Sequence, residues 1–265
     1  MDLLLETDWA AHWAGLVETR EIDAAAFADP AYWDRRARSF AANTSQRQDG
    51  FLELLEPWLE PHRTLLDVGA GAGRYASPLA DRLDWVTAVE PSQGMRDLIP
   101  QRENMTVIAS DWELAEPAQS DLAICCHVLY GVRDIVPFIR KLESCARDRV
   151  FIQLRFGQMH IPAEPLWEHL TGVRRPRMPQ FGDLWNVLLA IGVRPDVGVL
   201  RYQSNQAWDD EAAFLEEHRQ TLAKVWDEGK VRTWMTENLK GEEDGRLVYD
   251  RGLAESGVAH WQPRP

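Results

Sequence analysis

The chain has 265 residues, 29 basic and 42 acidic, for a formal net charge of −13. That balance excludes a general nucleic-acid binder, which carries a basic excess. A hydrophobic fraction of 45% excludes intrinsic disorder, and no apolar run approaches the ~18 residues of a spanning helix.

In chain order, Met1–Trp13 has no basic region and its longest apolar run is Leu3–Leu5. No signal peptide is read there, and a cytoplasmic protein is expected. Residues 1–60 read as a helical segment: Asp29-Pro30 is a cap with proline at the first helical position. Ser45 and Gln48 form a capping box before Phe51, Leu52, Leu54, Leu55, Trp58 and Leu59, and Pro57 marks a kink or an end. Trp9 and Trp13, four apart, read as packing.

Strands are then expected at 64–68, 85–89, 105–109, 121–126 and 149–155, with helices near 74–83, 92–99 and 134–146 between them. Strands separated by helix-length crossovers give a mostly parallel sheet with helices on both faces, an α/β fold. Beyond it, prolines punctuate a loop-rich segment with Arg174, Arg175 and Arg177, followed by a helix at 181–191 and a strand at 197–203. An acidic helix opening at Asp209-Asp210, a helix at 230–239, and a strand, a turn at Gly252–Gly257 and a closing strand complete the chain. The three cysteines, Cys125, Cys126 and Cys145, lack the spacing of a disulfide framework or a thiol-rich metal site.

The most informative stretch is LLDVGAGAGRYASPLA at 65–80, an apolar strand ending in Asp67-Val68, a G-x-G-x-G loop, and a helix from about Arg74. Glycines admit positive φ and let a ligand approach without a Cβ in the way. The helix N-terminus behind them offers N–H groups to a carboxylate or phosphate. Glu90 ends the next strand 17 residues after Gly73, where a carboxylate can accept both hydroxyl protons of a ribose. Nucleotide-type binding follows. Gly71-x-Gly73-x-x-Ala76 also matches the dinucleotide fingerprint, but Asp67 would repel a pyrophosphate and suits an ammonium.

The stretch Asp67-Val68-Gly69-Ala70-Gly71-Ala72-Gly73 resembles motif I of class I S-adenosylmethionine-dependent methyltransferases. VTAVEPSQGMRDLI (86–99) looks like the second motif, SDWE (110–113) the third, and SDLAICCHVLYGVRD (120–134) the fourth, while AYWDRRARSFA (31–41) resembles the helix that closes over the ligand. The resemblance covers roughly residues 30–156. It implies a seven-stranded Rossmann-like sheet with residues 1–60 as a helical lid and 61–265 as the main domain, including an acceptor-side insertion at 157–244.

It further implies a donor site of Asp67, Gly69, Ala70, Gly71, Gly73, Glu90, Pro91, Met95, Asp111, Trp112 and Cys126, closed by Tyr32, Trp33 and Phe40. S-adenosylmethionine would be the cofactor, S-adenosylhomocysteine the product, and no metal is implied. His127 and Tyr130 follow the fourth strand and are the catalytic candidates, since an imidazole with an unperturbed pKa near ~6.5 can deprotonate a nucleophile. Ile124-Cys125-Cys126-His127 is not the Asn/Asp-Pro-Pro-Tyr/Phe signature of nucleic-acid base methylation, so the expected acceptor is a small molecule. Trp167, Arg174, Trp185 and Trp208 are the side chains expected to shape its pocket. An NAD-type oxidoreductase and a non-catalytic nucleotide-binding module remain the alternatives.

Overall fold

In the computed structural model, which describes residues 7–20, 29–45, 50–157 and 163–264, the five apolar runs become consecutive strands. These are β1 (Thr64–Val68), β2 (Trp85–Val89), β3 (Met105–Ile108), β4 (Ser120–Cys126) and β5 (Ala146–Arg155). All four pairings among them are parallel, in the order β3-β2-β1-β4-β5. Leu65, Leu66, Leu122, Ala123, Ile124, Val150, Phe151 and Ile152 are fully buried, as strands covered on both faces must be.

The sheet continues through β8 (Leu247–Trp261), antiparallel to β5, to β6 (Asp196–Trp208), antiparallel to β8. Seven strands thus form the path β3-β2-β1-β4-β5-β8-β6, and a two-residue β7 (Lys240–Gly241) pairs with β8 as the eighth. One face is covered by α1 (Trp9–Glu18), α6 (Ile135–Ser144) and α8 (Phe181–Ala190), which share a core with Leu66, Val68 and Ala123. In α6 the buried Ile135, Phe138, Ile139 and Leu142 recur at helical spacing, so one stripe meets the sheet. The other face is covered by α3 (Phe51–Leu55) and α4 (Ala76–Ala80), packed on Leu65, Val86 and Ile124. Above the strand ends, α2 (Pro30–Ser45) lies against α5 (Gln93–Arg96).

Several expectations are corrected. The tail is one strand, not a strand, turn and strand: Gly252 takes φ +67° where the β6–β8 register slips between Gln203 and Asn205, so it makes a bulge inside a continuous ladder. Gly257 serves close packing, since a Cβ there would lie 2.4 Å from Cγ of Phe181. The proline-rich segment contains a helix, α7 (Ala163–Thr171), with Pro165 in its first turn, where proline is tolerated. β6 extends to Trp208, beyond the expected end at 203. Its far half, with α7, α9 (Glu211–Thr221) and α10 (Glu228–Asn238), encloses a separate core of Leu166, Trp208, Phe214, Leu222, Val231 and Trp234. Residues 181–208, placed by sequence in the insertion, are therefore built into the sheet and its cover. The capping box at Ser45 and Gln48 falls partly outside the described residues.

Candidate active site

β1 lies inside the sheet between β2 and β4, and its fourth residue, Asp67, sits between Ala88 and Ile124 of those strands. Asp67 is buried and its carboxylate accepts the N–H of Ala76, the first residue of α4. Burial, then the charge of Glu90, push its pKa up to about 7. The helix begins two residues later than expected, with its first N–H towards Asp67.

The glycine loop turns back over the strand ends. Gly69 takes φ +73°, and a Cβ there would lie 2.4 Å from Cγ2 of Val128, so only glycine lets this turn meet the loop after β4. Gly71 takes φ +56° with open space where a Cβ would stand, and its N–H donates to Oε2 of Glu90 at 2.8 Å. Oε1 of Glu90 accepts from the Ser92 N–H at 2.9 Å. Burial raises the Glu90 pKa against the pull of these two hydrogen bonds.

α2 forms the roof. Asp29 accepts the Ala31 N–H at 2.9 Å, and Pro30 starts the helix as expected. Tyr32, Trp33 and Phe40 face the cavity and meet edge to face, with centroids 5.2 and 5.5 Å apart. Oδ1 of Asp34 accepts from Ser92 Oγ at 2.6 Å and from the Gly94 N–H at 2.8 Å, tying α2 to α5. These bonds hold the Asp34 carboxyl below its ordinary range. At the other end Arg36 pairs with Glu217 of α9, and Asn43 exchanges hydrogen bonds with the Ala207 backbone at 2.8 and 3.2 Å. The helix is thus held on both sides of a cavity of about 310 Å³.

At the end of β4, His127 adopts φ +62°, the sole positive φ outside glycine among the described residues. Its Nδ1 lies 3.0 Å from Oη of Tyr130, which also accepts the N–H of Arg155 at 3.2 Å. Burial pushes the Tyr130 phenol up to about 12, so it stays protonated at neutral pH. Cys126, His127, Tyr130, Arg155, Gln206 and Glu217 complete this end of the cavity.

Residues 32–170, just over half of the chain, match the model of a methyltransferase domain. The chain belongs to the methyltransferase-domain family. It is 25% identical over 201 residues to an uncharacterized protein of Haemophilus influenzae, covering 71% of this chain and 74% of that one. Among solved structures, the plantazolicin methyltransferase BpumL, crystallised with a desmethyl plantazolicin analog and S-adenosylhomocysteine, superposes with a TM-score of 0.51 at 12% identity. That match covers 97% of this chain and 100% of BpumL. The YcgJ protein of Bacillus subtilis gives a TM-score of 0.51 at 12% identity over 78% of this chain and 96% of its own. Both carry the Rossmann-like fold. S-adenosylmethionine is the methyl donor of the class that the motifs resemble, and the dinucleotide alternative falls with the family assignment.

In this methyltransferase, thirteen of the expected residues line one cavity: Tyr32, Trp33, Phe40, Asp67, Gly69, Ala70, Gly71, Glu90, Pro91, Met95, Cys126, His127 and Tyr130. Gly73, Asp111 and Trp112 do not. Gly73, at φ +79°, faces Ser77 and Ile99 and shapes the loop from behind. Asp111 is exposed, with its backbone carbonyl accepting the Leu114 N–H. Trp112 packs on Phe138 beneath Lys141, in the core and not beside the cavity.

The acceptor-side expectations shift as well. Trp167, Arg174, Trp185 and Trp208 do not line the cavity, although Trp208 stands behind it with its Nε1–H on Glu217, and the basic patch is paired within the protein. Arg174 meets Glu168, Arg175 stacks on Trp167, and Arg177 binds both carboxylate oxygens of Asp183. From 157–244 the cavity takes Gln206 and Glu217 among the described residues, and Arg36 and Arg155 join them from outside that segment. Arg155 had a signal in the sequence: like Asp67 and Glu90, it is a charged residue at the carboxyl end of an apolar strand.

Proposed function

We propose that the protein is a cytoplasmic S-adenosylmethionine-dependent methyltransferase acting on a small-molecule acceptor. The observation that carries this reading is the pair of buried carboxyl groups, Asp67 and Glu90, facing one cavity beside an open Gly71. The residues fit the donor. Two carboxylates in reach of one another suit an ammonium and a ribose diol and would repel a pyrophosphate. Gly71 leaves the space that a side chain would fill, and Met95 and the α2 rings supply apolar surface for a base.

When bound, S-adenosylmethionine supplies a methyl group already activated on a sulfonium. The chain's own residues have three tasks. Glu90, already fixed by the Gly71 and Ser92 N–H groups, keeps lone pairs for hydroxyl donors. α2, held from both sides, excludes water from above with Tyr32, Trp33 and Phe40. His127 takes a proton from the acceptor nucleophile, and Tyr130 acts as its positioning residue: a phenol that stays protonated is a poor base but orients the imidazole.

The aromatic rings that α2 sets over the cavity and the formal charge of −13 favour a small acceptor over a nucleic acid. Incubation with methyl-labelled S-adenosylmethionine and a deproteinised, nucleic-acid-free extract should place label in the low-molecular-weight fraction. Label confined to protein or nucleic acid when those are supplied would contradict this reading.

A further inference from the structure

Every charged side chain lining the cavity except one has a partner. Asp67 and Glu90 accept backbone N–H groups. Arg36 is bound to Glu217 and Thr221, and Glu217 also accepts from Trp208 Nε1 at 2.9 Å. Arg74 lies over the Tyr75 ring at 4.8 Å. Arg155 is different. It is only 9% exposed and lines the cavity, yet among the described residues its guanidinium forms no hydrogen bond or ion pair, while its backbone N–H donates to Tyr130 Oη.

A buried cation without a counter-charge is costly, and native proteins keep such groups where a ligand completes them. We infer that Arg155 anchors an anionic group of carboxylate type on the methyl acceptor, an inference that rests on the methyltransferase reading of the cavity. The guanidinium offers parallel N–H donors in a planar fork, which a carboxylate matches with both oxygens. Its place in the sheet assigns it to the acceptor and not to the donor. β5 is separated from β1 by β4, and from β2 by β4 and β1. At ~4.8 Å per strand the backbone of Arg155 lies ~10 Å from the strand of Asp67 and ~14 Å from that of Glu90. Arg155 instead adjoins Tyr130 and, through it, His127. The aromatic roof of Tyr32, Trp33 and Phe40 gives the rest of the acceptor an apolar or aromatic body.

The test compares aryl carboxylates with their own carboxamides: benzoate with benzamide, and 1-naphthoate with 1-naphthamide. Each is titrated calorimetrically into the wild-type protein and into Arg155→Gln and Arg155→Lys, with and without saturating S-adenosylhomocysteine. The wild-type protein should prefer each carboxylate over its amide, Arg155→Gln should lose at least tenfold in carboxylate affinity, and Arg155→Lys should fall between. Affinity for the amides and for S-adenosylhomocysteine should hold in both variants, which also shows that they are folded. A wild-type protein with no preference for carboxylates, or a preference that survives Arg155→Gln, overturns the proposal. So does a parallel loss of S-adenosylhomocysteine affinity, which would assign Arg155 to the donor. An Arg155-dependent preference in a protein that binds no S-adenosylhomocysteine would keep the anion site and overturn the methyltransferase reading of the cavity.

Discussion

Asp67 and Glu90 are the residues on which the proposed donor site turns, and their burial makes each assignment measurable. Glu90→Ala removes the acceptor of the Gly71 and Ser92 N–H groups together with the proposed ribose contact. Donor affinity should drop by about 1.5–3 kcal/mol, the range for hydrogen bonds to a charged group. An unchanged S-adenosylhomocysteine dissociation constant in a folded variant would remove Glu90 from the site. Asp67 separates stability from binding. Its pKa, raised from an ordinary 3.8 to about 7, means that the folded protein holds a proton which the unfolded chain has released across that window. Stability from this group is therefore present below about pH 4 and lost as the pH rises towards 7. Asp67→Asn should be more stable than the wild type at pH 8, with the difference vanishing towards pH 4, while its donor affinity falls. Equal chemical-denaturation midpoints at pH 8 would show that the carboxyl is not destabilised by burial. Donor binding to the wild type at pH 6 should also release a proton, seen as a dependence of the binding enthalpy on buffer; Asp67→Asn should lack it.

α2 reaches the cavity only because a glycine lets it. A Cβ on Gly94 would stand 2.8 Å from Cα and 2.9 Å from the carbonyl oxygen of Asp34, and neither backbone atom can swing aside. Gly94→Ala should therefore lift the roof helix, costing on the order of 1–3 kcal/mol of stability and weakening the donor complex. Gly71→Ala makes the opposite case: its Cβ meets nothing in the protein, so thermal stability should fall little beyond the strain of its positive φ, while donor binding collapses. Thermal melts with and without S-adenosylhomocysteine distinguish the two; a Gly94→Ala variant as stable and as responsive as wild type would show that the roof does not depend on this contact.

The same elements show what the sequence could convey. β1, β4 and β5 were legible because strands buried on both faces are short apolar runs, and the more exposed β2 and β3 because they alternate with helix-length crossovers; the loop at Gly69–Gly73 was legible because three alternate glycines have few structural uses. The outer half of β6 and β8 was not, since the exposed Arg201, Gln203, Asp250 and Glu255 belong to a solvated ladder and Gly252 imitates a turn. Trp112 sits in the core, and an indole on an apolar core has the same sequence signature as an indole on an adenine ring. Arg155 is a single charge at the end of an apolar strand, less conspicuous in the sequence than the arginine cluster at 174–177, in which Arg174 and Arg177 pair with acids of their own neighbourhood.

Taken whole, the molecule places a donor-type carboxylate pair, an aromatic roof and a buried arginine around one cavity, each supplied by a different part of the chain. The carboxylates and glycines come from the ends of β1 and β2 and the loop after β1, Arg155 from the end of β5, the roof from α2, and Gln206 and Glu217 from the β6–α9 region. A ligand that binds only the folded chain stabilises it by mass action, so S-adenosylhomocysteine at ~100 times its dissociation constant should stabilise the fold by about 2.7 kcal/mol. Calorimetric titration with S-adenosylhomocysteine, with NAD run on the same preparation, tests the central claim most directly. Saturable one-to-one binding of S-adenosylhomocysteine and none of NAD is the result expected of the carboxylate-flanked cavity; binding of NAD without S-adenosylhomocysteine would contradict it.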